Sequence, residues 1–203
     1  MAQRRVNPER ISAFSDGVIA IILTIMVLEL KIPEHVAEKG LLNGLLVPTA
    51  PKLLCYAMSF LVVVTMWGNH FALMATVPGV TRTILWLNNH LLFWMSLIPF
   101  ATAFLGDNPR LADAYATYGF VLTAAVASFT LMRWHAWKHA RDDAELAQVH
   151  RTVLKKSLLA AVLYALAIPL AYVSIVASIA IFVAIPVMFF LPIFAPRREH
   201  PGT

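Results

Sequence analysis

NPERISAFSDGVIAIILTIMVLELKIP, residues Asn7 to Pro33, is a hydrophobic run long enough to cross a bilayer, yet it holds Asp16 in its interior and Glu29 near its far end. Ionised groups are expensive in hydrocarbon unless partnered or wetted, so their presence marks a functional segment. Asn7 suits the N-cap, Pro8 suits the first helical position because its missing N–H would be unpaired there anyway, and Pro33 closes the helix by excluding α geometry at Ile32. Between them lie about 25 residues, roughly 37 Å of helix against about 30 Å of hydrocarbon. Ser12, Ser15, Gly17 and Thr24 are small or hydroxylated, the residues that let membrane helices approach and share hydrogen bonds. This helix is expected to have protein neighbours rather than lipid all round.

The rest of the chain has the same character. Its 203 residues are 60% hydrophobic and 13% charged, with a mean hydropathy of +0.73. That composition excludes an ordinary soluble domain and points to an all-α integral membrane protein with one membrane domain. The single Cys55 allows neither a disulfide nor a thiolate metal site within the chain. Arg4 and Arg5 precede the first run as in a signal peptide, but Asp16 interrupts it and no small-residue cleavage site precedes the Glu29 to Lys39 loop, so the run is expected to be retained as a helix.

Six spans are expected, approximately residues 8–32, 51–77, 83–105, 109–139, 157–173 and 176–195, with 140–156 as a cytoplasmic linker. Thr49-Ala50-Pro51 opens the second, which carries Trp67, Asn69 and His70, and Pro78-Gly79 ends it. The third holds Asn88, Asn89, His90 and Pro99 and is capped by Gly106. Asn108-Pro109 repeats the cap-and-first-position pattern for the fourth, which ends in RWHAWKHAR, where Trp134 and Trp137 among Arg133, Lys138 and Arg141 form an interfacial belt. The apolar run Ser157 to Ala195 is too long for one span, so a turn is placed between Ala171 and Ser178; Pro169, Pro186 and Pro192 are tolerable kinks or ends.

On this plan Lys31, Lys39, Lys52 and Arg110 fall on one side, and the other twelve Lys and Arg, including Lys155, Lys156, Arg197 and Arg198, fall on the side of both termini. Both termini are therefore expected in the cytoplasm. The net charge of +5 then reports topology, and a nucleic-acid partner is not expected.

Asp16 has three readings from the residues alone: a buried anchor, an ion-binding carboxylate or a proton-relay group. Its expected partners are Arg10, His70 first among the histidines and His90 second. Phe14, Gly17 or Val18, Ile21, Thr24 or Ile25, and Leu28 recur at helical spacing, either as a packing face or, with four copies around an axis, as stacked rings. Rings of Ile21 and Leu28 would gate by dewetting, with Thr24 hydroxyls between them. His135 and His139 are one turn apart, a spacing that suits interfacial histidines or, with a third ligand, a metal; no metal site is expected. There is no GxSxG, HExxH, Walker loop, GxGxxG or TVGYG, and the chain is not expected to be an enzyme.

Arg10-x-x-x-Phe14-Ser15-Asp16-Gly17, followed by Val18, Ala20-Ile21, Thr24 and Leu28-Glu29, resembles the first-helix signature of the transmembrane protein 175 family, the endosomal and lysosomal potassium channels and their prokaryotic relatives. Trp67-x-x-His70 and the stretch Asn88 through Pro99-Phe100 extend the resemblance over about the first 110 residues. It implies a six-helix subunit with a single FSDG motif, assembling as a homotetramer in a prokaryotic cell membrane. The pore would be lined by the first helix and filtered by hydrophobic side chains instead of backbone carbonyls. By position, Ile21 would form the narrow ring, Thr24 and Leu28 the layers above, and Arg10, Ser15, Asp16 and His70 the polar cluster bracing the pore helix, with Phe14 and Gly17 as motif positions and Glu29 at the pore mouth. No cofactor is implied beyond permeant potassium ions, and such a filter favours potassium over sodium only modestly, through the cheaper dehydration of the larger ion. The rival functions are a proton channel or proton-coupled transporter using Asp16 and His70, and a scaffolding protein whose stripe only packs.

Overall fold

The computed structural model describes residues 8–33, 36–77, 79–139 and 144–190. The expected N-cap Asn7 and the features at Arg4, Arg5, Pro78, Arg141, Pro192, Arg197 and Arg198 lie outside them, as does the expected end of the sixth span. The elements are α1 (Pro8–Leu28), α2 (Val36–Gly40), π-type turns over Leu41–Leu46, α3 (Val47–Met74), α4 (Arg82–Ser96), α5 (Ile98–Asp107), α6 (Ala112–His139), α7 (Ala144–Val173) and α8 (Ile175–Phe190). The fold is all-α. Five stretches are long and apolar enough to cross a membrane, α1, Glu38–Met74, α4 with α5, α6 and α7, and α8 is a shorter apolar helix.

Several boundaries differ from the sequence expectation, each for a local reason. Helix α1 stops at Leu28, short of Ile32, because the Pro33 ring would meet the carbonyl of Glu29, four residues earlier. The third span is two helices. Pro99 brings no N–H to the ladder, and the chain breaks at Leu97 (φ −87, ψ −10) before α5 resumes. Thr81 caps α4 by accepting from the Ile84 N–H at 3.2 Å. Asn108-Pro109 does not open α6. The Asn108 carbonyl accepts from the Leu111 N–H (3.0 Å) while its side-chain amide donates to the Phe104 carbonyl (3.0 Å); Pro109 thus occupies the second position of a turn, which its fixed φ suits equally well. Gly106 does not cap its span; it lies inside α5, where a Cβ would come within 3.3 Å of the Lys52 Cα, so its small size sets the α3–α5 approach.

Residues 140–156 are not a linker throughout, since α7 begins at Ala144 and runs unbroken into its apolar stretch. Its first turns are rich in good helix formers and carry Glu145 at the positive end of the dipole. Helix α8 folds back on α7 after a break at Ser174, and the Ser178 hydroxyl donates to the Ala167 carbonyl (3.0 Å). The core centres on α6, where Tyr118 meets Phe182 edge-on (centroids 5.1 Å). Gly119 lets α7 and α8 in, its would-be Cβ lying 3.2 Å from Ile168. Among the described residues, helix α1 is bound on one side, against α3, α4 and α5.

Candidate functional site

That one-sided packing divides α1 into two faces. Ile11, Ser15, Ile19, Ile22 and Met26 are buried at spacings of four, four, three and four, a seam against the subunit's own helices. The opposite face carries Phe14, Gly17, Ile21, Thr24 and Leu28, all exposed, with Ile21 at 57% and Leu28 at 73%. The Thr24 hydroxyl donates to backbone carbonyls of its own helix, Ile21 at 2.9 Å or Ala20 at 3.1 Å. Its proton is thereby committed, and its oxygen is left as an acceptor on the exposed face. Beside it an open groove of about 410 Å³ runs between α1 and the α4–α5 break, lined by Ile21, Ile25, Glu29, Pro99 and Phe100 among others.

The hidden face is held by a one-way chain of hydrogen bonds. His70 Nε2 donates to Asn88 Oδ1 (2.7 Å), Asn88 Nδ2 donates to Ser15 Oγ (3.0 Å), and Ser15 Oγ donates to the Ile11 carbonyl (2.9 Å). An asparagine is the residue able to sit between them, because its amide accepts at one end and donates at the other. All three side chains are fully buried, so each bond replaces water that the site excludes. On the α1 flank, Trp67 Nε1 donates to Asp16 Oδ1 (2.9 Å).

Of the expected cluster, Ser15 and His70 are thus brought together, through Asn88 and not directly. Asp16 is tied to an indole, not to Arg10 or His70. Arg10 is exposed. His90 is engaged elsewhere. Trp94 Nε1 donates to its Nε2 (3.2 Å), so its Nδ1 carries the proton given to Ser128 Oγ (2.8 Å). Asn88 and Trp67 had no assigned role from the sequence; the signal for Asn88 is an amide in an apolar span, and for Trp67 its position one turn before His70.

At the same end of α3, on the side toward α6, Arg133 leaves the expected aromatic belt. It is 2% exposed, donates through Nη2 to the Asn69 carbonyl (3.0 Å) and lies 5.2 Å from the Phe129 ring centre. Lys138, by contrast, sits over Trp134 at 3.5 Å, as an interfacial lysine should. Among the described residues no three His, Cys, Asp or Glu groups are placed to hold a metal ion; the side chain of His139 is outside them.

Comparison with known proteins gives a consistent set of relatives. The sequence profile of the family described as endosomal/lysosomal potassium channel TMEM175 matches residues 10–99. A protein of Chryseobacterium sp. named as a potassium channel is 46% identical over 123 residues, 61% of this chain and 62% of that protein. One of Chamaesiphon minutus, also named as a potassium channel, is 32% identical over 193 residues, 90% of this chain and 93% of that one. The crystal structure of a lysosomal potassium-selective channel TMEM175 homolog from Chamaesiphon minutus superposes with a TM-score of 0.79 at 30% identity, covering 93% of this chain and 98% of that one. The human relative, 35% identical over 115 residues but matched over only 23% of its length, is named as an endosomal/lysosomal proton channel.

Proposed function

The chain belongs to the endosomal/lysosomal potassium channel TMEM175 family, and from that premise we propose that it is a potassium-permeable cation channel of the cell membrane. Four copies assemble with α1 of each around a central axis and both termini in the cytoplasm. Ile21 forms the constriction, Thr24 supplies oxygen ligands in the next layer, Leu28 forms a second apolar ring, and Glu29 lies at the mouth, where it raises the local cation concentration. The observation that carries this reading is the division of α1. The seam Ile11–Ser15–Ile19–Ile22–Met26 satisfies the subunit, and the stripe opposite it, with one outward oxygen acceptor at Thr24, is left for something outside the subunit.

A ring of isoleucines offers no substitute for a hydration shell, so selection rests on the smaller dehydration cost of potassium and is modest. The test is the reversal potential of the purified protein in planar bilayers under a potassium–sodium gradient, wild type beside Ile21→Asn. A cation current favouring potassium, with that preference lost or the conductance raised in Ile21→Asn, is expected. Silence in both proteins, each a folded oligomer, would refute the pore.

A second reading, proton conduction through Asp16 and His70, is favoured by one feature: His70 Nδ1 is buried and has no hydrogen-bond partner among the described residues. It is weakened by another. The partner of Asp16 is an indole N–H, which donates only and relays no proton. Proton flux abolished by Asp16→Asn in an intact assembly would reverse this preference.

A further inference from the structure

Where α7 begins, before its apolar run opens at Ser157, a buried histidine meets a buried arginine. His150 is 1% exposed and Arg133 is 2% exposed, with Arg133 Nη1 3.3 Å from His150 Nδ1. A guanidinium donates and does not accept, so Nδ1 carries the lone pair and the ring proton resides on Nε2. Nε2 faces Thr76 Oγ1 at 3.4 Å, and the Thr76 hydroxyl in turn donates to the Leu73 carbonyl (2.6 Å). In this arrangement His150 is neutral. One ring joins three elements: the start of α7, the end of α6 and the turn that finishes α3.

We propose that His150 is a proton-operated latch, which in its neutral form holds the first turns of α7 against α3 and α6 and which releases them when Nδ1 takes up a proton. Protonation consumes the lone pair that Arg133 uses and sets an imidazolium against a guanidinium with both excluded from water. The groups that face His150 among the described residues are Thr76 from the turn after α3 and Arg133 from α6. On α7 itself Glu145, Arg151 and Lys155 are exposed, Glu145 about 140° round the helix from His150, and His135 lies two residues beyond Arg133, about 200° round that helix. Among the described residues no carboxylate faces the His150 ring. The latched form binds fewer protons than the released form, so its stability is full at high pH and is lost as pH falls through the histidine range.

The latch is independent of whether the chain conducts. It nevertheless reaches the polar chain behind α1, because Arg133 also holds the carbonyl of Asn69, whose neighbour His70 braces Asn88 and Ser15.

Hydrogen exchange of peptides covering 144–156, measured on the purified protein at about pH 7.5 and about pH 5.5 and scaled for intrinsic exchange, tests this. Wild type is expected to lose several-fold, and at most about tenfold, of its protection at the lower pH, about tenfold being the ceiling that one ordinary histidine sets over these two pH units. His150→Gln, whose carbonyl accepts from Arg133 but does not titrate, is expected to keep equal protection at both. Arg133→Gln, whose amide can accept from an imidazolium, is expected to blunt the acid loss, and it decides the matter if the His150 variant does not fold. Protection independent of pH in wild type, or an acid loss of the same size in wild type and the variants, would overturn the latch.

Discussion

Replacing Asn88 by alanine is the sharpest perturbation of the hidden face of α1, because its neighbour Asn89 is an exposed control of identical chemistry. The substitution deletes the 2.7 Å bond from His70 and the 3.0 Å bond to Ser15. Side-chain hydrogen bonds inside membrane proteins average about 0.6 kcal/mol in double-mutant cycles, and soluble-protein values run to about 1.5 kcal/mol. Ser15 keeps its bond to the Ile11 carbonyl and is not orphaned. The His70 Nε2–H is orphaned, and an unsatisfied buried donor costs about 1–3 kcal/mol more. The expected loss is about 2–4 kcal/mol, a fall of about 5–15 °C in thermal midpoint for a chain of this size. Asn89→Ala should stay within about 0.5 kcal/mol of wild type.

The assay is the temperature at which detergent-purified protein loses its monodisperse size-exclusion peak, read side by side for the two variants. A companion measurement separates the hydrogen bond from mere loss of volume. In His70→Phe/Asn88→Leu both polar partners are gone and nothing is orphaned, so this pair should be more stable than Asn88→Leu alone. Equal midpoints for Asn88→Ala and Asn89→Ala, or a double variant less stable than the single one, would refute the polar chain.

Other consequences follow from the same geometry. Trp67→Phe keeps the ring but removes the donor to Asp16, and should cost about 1–2 kcal/mol in the same thermal assay while Asp16→Asn adds little in that background. Gly119→Val should lower the midpoint through overpacking, by about 1–3 kcal/mol, because its side chain meets Ile168 and Phe182. Thr24→Val should reduce the potassium preference of any current and Thr24→Ser should retain it, as read from reversal potentials. Tyr172→Phe, which removes an exposed bond to Asp113, should change stability by less than about 0.5 kcal/mol.

The sequence made the exposed stripe of α1 readable because a 3.6-residue period is local information: Ile21, Thr24 and Leu28 share a face whatever surrounds them. It made the number of apolar segments readable for the same reason. The partners of the polar residues were not readable, since they depend on how α1, α3 and α4 are rotated against one another. Ser15 and His70 were both legible as cluster members, but the amide that joins them was not, because nothing in spacing brings residue 88 to residue 15. Asp16 was expected beside a cation or an imidazole, the usual partners of a carboxylate, and it met an indole N–H instead. Arg133 was read as interfacial from its tryptophan neighbours in sequence, while the Asn69 carbonyl and His150 that receive it come from two other helices. Asn108-Pro109 shows a different limit, as the same dipeptide opens a helix or a turn and only the Leu111 N–H decides which.

The two faces of α1 should also respond to mutation in different assays, and that separation is the strongest consequence of the fold. The hydrogen bonds from α1 to the buried cluster run through Ser15, on the seam, while the side chains of Ile21 and Leu28 are apolar and exposed. A polar group at Ile21 therefore meets whatever fills the space outside the subunit and leaves the seam intact. Ile21→Asn should shift permeation with little change in the thermal midpoint of the isolated fold, whereas Asn88→Ala should shift the midpoint first and permeation only as a result. If Ile21→Asn instead unfolds the protein as severely as Asn88→Ala, the stripe is a packing face, and the pore must be sought on another helix.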